Sequence, residues 1–179
     1  MKNRRIYLLY LGLYLLSSFL IWSPMDEYVV TSGHSIAFKS ADPSGKFTTI
    51  TGNVSYTESN PEATKMSLTI PVTSLSTGNA LMNKKAMTAE WFDQAKFPNI
   101  TFVSTSVKNE KGILQIYGTM TVKGVEKPYL VKAKVKKQGD KITFSGALAV
   151  NRISFGVGKK SETVPDIMNV SYSLPVIKK

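Results

Sequence analysis

Five segments of this chain place apolar residues at every second position. Met66, Leu68, Ile70 and Val72 alternate with Ser67, Thr69, Pro71 and Thr73. Leu114, Ile116, Gly118, Met120 and Val122 alternate with Gln115, Tyr117, Thr119 and Thr121. Tyr129, Val131, Ala133 and Val135 face away from Leu130, Lys132, Lys134 and Lys136. The same pattern runs through Ile142–Val150 and Met168–Val176. Successive side chains of a strand point to opposite faces, so a period of two predicts β-strands with one apolar face each. Weaker strands are predicted over Ser35–Lys39, Phe47–Tyr56 and Ile100–Lys108. Turn residues separate them: Asp42-Pro43-Ser44-Gly45, Asn60-Pro61, Asn109–Gly112, Lys123-Gly124 and Gln138-Gly139-Asp140.

Eight strands with one apolar face each and short connections predict an antiparallel sheet, closed into a barrel or folded into a sandwich. Closure has a physical motive, because it removes the two unpaired edges of an open sheet. At about eight strands a barrel is just wide enough to enclose one small ligand. Periodicity leaves barrel and sandwich both open. Asp26–Lys179 holds no internal repeat, low-complexity tract or long linker. One domain over residues 24–179, behind a leader over residues 1–23, is therefore expected.

That leader begins with the basic stretch Met1–Arg5, continues with 17 uncharged residues over Ile6–Trp22, and then turns polar and acidic at Ser23–Glu27. The pattern predicts export, with the N-terminus in the cytoplasm and the rest across the membrane. A small-x-small cleavage site is missing: a cut after Ser23 would have Ile21 at the minus-three position and Pro24 just beyond. The apolar run also reaches the lower limit for a membrane span. A cleaved signal and an uncleaved anchor both fit, and both put the domain outside the cytoplasm, periplasmic or secreted.

Elimination narrows the chemistry. The chain has no cysteine and a single histidine, His34, which excludes thiolate sites, histidine-based triads and multi-histidine metal sites. Glu90 and Asp93 lie three apart and read as a solvated or capping pair. Gly156-x-Gly158 with Lys159-Lys160 lacks phosphate-loop spacing and reads as a turn. No catalytic residue, metal or cofactor is expected. The net charge is +11; without Lys2, Arg4 and Arg5 there remain 20 basic against 12 acidic residues. The excess favours anionic partners. Lys132, Lys134 and Lys136 alternate along one strand as a solvated face, and no aromatic-basic motif of a nucleic-acid reader is present, so nucleic acid is not an expected partner.

The block Ser74–Ser104 interrupts the strand pattern. Ser74–Pro98 is too long for an ordinary hairpin and predicts a structured excursion, helix-like over Asn79–Gln94, covering one end or side of the sheet. Ser74-Leu75-x-Thr77-Gly78-Asn79, Trp91-Phe92-Asp93 and Lys96-Phe97-Pro98-x-Ile100-Thr101-Phe102-x-Ser104 follow in an order and spacing that resemble the signature of the YceI-like family of small β-barrel proteins. His34-Ser35-Ile36-Ala37-Phe38, Gly118-x-Met120-Thr121-Val122-Lys123-Gly124 and Arg152-x-x-Phe155-Gly156-Val157-Gly158 resemble further elements of that family. Lys85 and Met82-Asn83 depart from it, standing where members often carry a histidine and an Arg-Asp pair.

The inward face contains Met66, Met120 and Met168 with Phe102, Phe144 and Tyr172, adaptable side chains that suit either a flexible apolar ligand or a filled core. The resemblance implies an all-β, lipocalin-like antiparallel eight-stranded barrel. It further implies a long isoprenoid or similar amphiphilic lipid in an apolar channel lined by Phe38, Met66, Leu68, Ile70, Phe92, Phe102, Leu114, Ile116, Met120, Phe144, Phe155, Met168 and Tyr172. Lys84, Lys85 and Arg152 are the candidates for contacts to its head group. The alternative is a filled barrel that acts through its basic surface on a partner or membrane, as a structural or stress-response module. Monomer and homodimer both remain open.

Overall fold

The computed structural model describes residues 25–39 and 43–179; the expected leader and Asp42 of the first expected turn lie outside the described residues. The chain forms β1 (Asp26–Val30), β2 (Ser35–Lys39), β3 (Gly45–Phe47), β4 (Thr51–Tyr56), β5 (Lys65–Pro71), β6 (Leu75–Ser76), α1 (Ala80–Ala86), β7 (Asn99–Glu110), β8 (Ile113–Val122), β9 (Val125–Gln138), β10 (Lys141–Asn151) and β11 (Ile167–Lys178). Every pairing is antiparallel. The order β1-β4-β5-β7-β8-β9-β10-β11 returns to β1, so the sheet is a closed barrel rather than a sandwich.

Eleven segments make eight walls because three neighbouring walls are each broken once. β1 and β2 lie end to end along β11, which pairs with β1 through Val176–Lys178 and with β2 through Asn169–Ser173. β3 and β4 are two pieces of the next wall, and β5 and β6 of the one after. Gly33 makes the first break with φ +85°, a backbone state that glycine reaches without strain. Side chains stitch the breaks together. The His34 ring nitrogens lie 3.0 Å from the Thr31 carbonyl and 3.1 Å from that of Thr48. Thr48 donates through its amide and its hydroxyl to the Ser74 carbonyl, and the Ser74 hydroxyl donates to the Pro71 carbonyl. His34 is thus a structural clasp.

The breaks divide the barrel into a base and a mouth. At the base the inward residues are sealed: Val54, Ile116, Phe144 and Val176 are fully buried, and Tyr56 meets Phe144 edge-on at 5.6 Å. Further along the same strands the inward residues Leu68, Ile70, Leu148, Val150, Met168 and Val170 are only half-buried. A packed core would bury them all. The gradient marks an interior that is filled at one end and open at the other. Lys132, Lys134 and Lys136 form an exposed face, as their alternation predicts.

Two walls part near the mouth. β9 and β10 pair only through Gln138–Lys134 and Lys141–Ser145. Beyond that point Gly146 faces Tyr172, and the Tyr172 hydroxyl donates to the freed Lys132 carbonyl at 2.9 Å. A Cβ on Gly146 would collide with that carbonyl oxygen and approach the Tyr172 hydroxyl to 2.9 Å. Gly146→Ala is therefore expected to cost about 2–3 kcal/mol through overpacking. Tyr172→Phe, which removes one hydrogen bond to a solvent-exposed carbonyl, should lose about 0.5–1 kcal/mol. Denaturant titration checks both; an unchanged midpoint for Gly146→Ala would mean that the walls separate freely.

Candidate functional site

The mouth is shaped by the excursion between β6 and β7. β6 pairs with β3 but not with β7, so the wall is interrupted there, and residues 77–98 occupy the gap. Asn79 starts α1: its side-chain oxygen accepts the amides of Leu81 and Met82, as a helix N-cap should. The helix stops at Ala86, where the Thr88 hydroxyl donates to the Lys85 carbonyl. The expected helical stretch thus runs as helix only over Ala80–Ala86. A set of tight turns follows, in which the Ala86, Met87 and Thr88 carbonyls accept the amides of Phe92, Gln94 and Trp91. The aromatic side chains fix these turns. Phe92 meets Phe47 edge-on at 6.3 Å, and Phe97 lies over Gly124, where a Cβ would come within 2.5 Å of its ring.

Two cations lie over the Trp91 ring. The Lys85 ammonium lies 5.7 Å from the ring centroid and the Arg152 guanidinium 5.4 Å, both within cation–π range. Gly158, at φ +68°, lets the chain pass beneath: a Cβ there would fall 2.9 Å from Arg152 Nη1 and 3.0 Å from Trp91 Cζ3. The indole Nε1 of Trp91 is buried and has no protein partner, the single such side-chain atom among the described residues.

Inside the barrel lies a cavity of about 420 Å³. Phe38, Met66, Leu68, Ile70, Phe92, Phe102, Ile116, Met120, Phe144, Phe155, Met168 and Tyr172 all line it. Leu114 does not; it is 2% exposed and belongs to the packed base, because β8 enters the barrel there. The interior is therefore not filled. Burial pushes the Tyr172 phenol well above the usual tyrosine range, and its proton stays on the hydroxyl that holds β9.

The three head-group candidates separate. Lys85 lines the cavity, while Lys84 lies outside it. Arg152 also lines the cavity but is only 5% exposed, and its guanidinium is already committed. It donates to the carbonyls of Pro165, Val157 and Val164 at 2.9, 2.9 and 2.7 Å and lies 3.6 Å from Asp166. It therefore clamps the loop between β10 and β11. Sequence reasoning missed Trp91, the wall residues Phe47, Leu148 and Val150, and Val164 of the clamped loop, which also line the cavity. The period-two pattern already put Leu148 and Val150 on the inward face. Nothing periodic pointed to Trp91.

The remaining motifs are structural. Asp93, at φ +50°, turns the chain, and its carboxylate lies 3.9 Å from Lys96. The Glu90 carbonyl accepts the Gly158 amide and the Lys123 ammonium. Among the described residues no three His, Asp or Glu side chains come together as a metal site, and no helix is long and apolar enough to cross a membrane.

A closed eight-stranded antiparallel barrel, sealed at the base and apolar within, with one short helix at its mouth, is a lipocalin-like barrel. Residues 26–176 match the YceI-like domain, and the chain belongs to that family. Protein YceI of Salmonella arizonae is 43% identical over 96 residues, 54% of this chain and 50% of that protein, so the match spans about half the length of such curated relatives. BcnA of Burkholderia cenocepacia superposes with a TM-score of 0.73 at 24% identity, over 85% of this chain and 99% of that one. A polyisoprenoid-binding domain from Saccharophagus degradans superposes with a TM-score of 0.66 at 13% identity, over 87% and 100% of the two chains.

Proposed function

We propose that the protein is a non-catalytic carrier or sequestering protein for an isoprenoid or similar amphiphilic lipid outside the cytoplasm. The observation that carries this reading is the cavity: about 420 Å³ of apolar space inside a barrel whose base is sealed. An apolar tail lies among Met66, Met120, Met168 and the rings of Phe102, Phe144 and Tyr172. The polar end lies at the mouth, near the Lys85 ammonium. The Saccharophagus degradans domain of the same fold, a polyisoprenoid binder, supports the choice of ligand class. Export rests on the basic Met1–Arg5 ahead of an uncharged run. The alternative of a filled barrel acting through its surface loses its premise with the open interior.

Native mass spectrometry of the protein purified from a membrane-containing host, followed by lipid extraction, tests this reading. A stoichiometric prenyl lipid is the expected result. A bare protein mass that stays bare after prenols are added would overturn it.

A further inference from the structure

The rim of the mouth carries an apolar feature that the fold does not use. Leu81 on α1 is 79% exposed and Met82 is 40% exposed. The helix sequence Ala80–Ala86 holds Lys84 and Lys85 and no carboxylate. Met82 and Lys85 line the cavity, so the exposed leucine is continuous with the opening. Apolar tips flanked by lysines match the chemistry of an anionic bilayer interface, where the tips enter the acyl boundary and the ammonium groups meet phosphates.

The chain's entry point adds a direction. β1 starts at Asp26, opposite Tyr56 and beside Lys178, at the base of the barrel. β11, 12 residues long, runs from the mouth to the base, which at about 3.3 Å per residue and a tilt near 40° separates the two ends by about 30 Å. The described chain therefore enters the barrel, at Asp26, at the end far from Leu81.

We infer that α1, at the end of the barrel far from Asp26, is a docking surface for an anionic phospholipid bilayer. Resting on the carrier reading above, the inference supplies the route by which a poorly soluble ligand reaches the cavity. α1 seats Leu81 and Met82 in the bilayer interface, Lys84 and Lys85 hold it there, and the lipid passes from the bilayer into the opening.

The absence of cysteine allows a clean test. Bimane is attached to Leu81→Cys, and to Lys108→Cys near the base as a control. The protein is used as an exporting host leaves it, in nanodiscs if the leader persists. Doxyl-labelled phospholipid is placed only in added vesicles, of phosphatidylcholine with or without phosphatidylglycerol. Quenching at position 81 is expected to exceed that at position 108 about threefold with phosphatidylglycerol, and to fall to the control level at 1 M salt, where the Debye length shrinks to about 3 Å. Lys84→Glu should have the same effect as salt.

Equal quenching at the two positions overturns the inference, as does quenching that ignores phosphatidylglycerol. A concentration-dependent change in bimane emission without vesicles would assign the surface to a second copy of the chain instead. Binding of a short water-soluble prenol, measured without vesicles, separates the two readings. If the prenol binds and position 81 stays unquenched, docking fails and the carrier stands. If position 81 is quenched and the prenol does not bind, the carrier fails.

Discussion

Replacing Arg152 by Met is expected to lower the melting temperature by about 6–20 °C, the shift that a loss of about 3–5 kcal/mol produces in a chain of this size. The side chain is 5% exposed, and its nitrogens serve three carbonyls. Its removal leaves the Pro165, Val157 and Val164 carbonyls with no donor in a confined place. It also takes the cation from the Trp91 ring and a neighbour from Asp166. Arg152→Lys keeps the charge but offers one compact ammonium where three separated acceptors need a planar fork, and should recover less than half of the loss. Because Val157, Thr163 and Val164 line the cavity, the Met variant should also weaken ligand binding at temperatures where the barrel is still folded. Differential scanning calorimetry settles the first effect. A melting temperature within about 2 °C of the parent would show that water serves these carbonyls adequately.

Lengthening a prenol by one isoprene unit is expected to tighten binding at least about tenfold until the cavity is full, after which affinity levels off. Burial of a methylene is worth about 0.8 kcal/mol, so five carbons have a ceiling near 4 kcal/mol, and each 1.4 kcal/mol is tenfold. Ordering a flexible tail and incomplete burial reduce the gain. Met168→Trp puts bulk into the channel without removing a wall and should move the plateau to shorter tails. Calorimetric titration with a length series reads both effects. Equal affinities across the series would mean that the head group, not the channel, does the binding.

The walls of the barrel were legible in the sequence because their alternation is a direct geometric consequence of the strand. Met66–Val72, Leu114–Val122, Ile142–Val150 and Met168–Val176 all turn the expected face inward. The Lys123-Gly124 turn was equally plain, since tight two-residue hairpins require left-handed residues and both positions have positive φ; the expected turn Asn109–Gly112 narrows to Lys111-Gly112, because Asn109 and Glu110 still pair with Leu114 and Ile113. The breaks at Thr31–His34 and Thr48–Ile50 were not legible. His34, Thr48 and Ser74 reveal their stitching only when three distant segments lie side by side. The resemblance alone makes Arg152 a head-group candidate, and it does line the cavity, but its commitment to three carbonyls brought in by the loop between β10 and β11 has no sequence signature. Within the following segment only Phe155 and Val157 are buried, and the guanidinium beside them is satisfied by nearby carbonyls, as a buried charge requires. Trp91 and Lys85 meet in an excursion whose turns are set by what lies beneath them.

The three fractures at one level give the molecule two mechanical parts. Below that level continuous hydrogen-bonded walls surround a solid core; above it the rim on that side is made of β2, β3 and β6, pieces of five, three and two residues. Such short pieces open with little loss of structure. Substitutions among those fragments are therefore expected to reshape the opening at little cost in melting temperature, which rests on the packed base and on the Arg152 clamp.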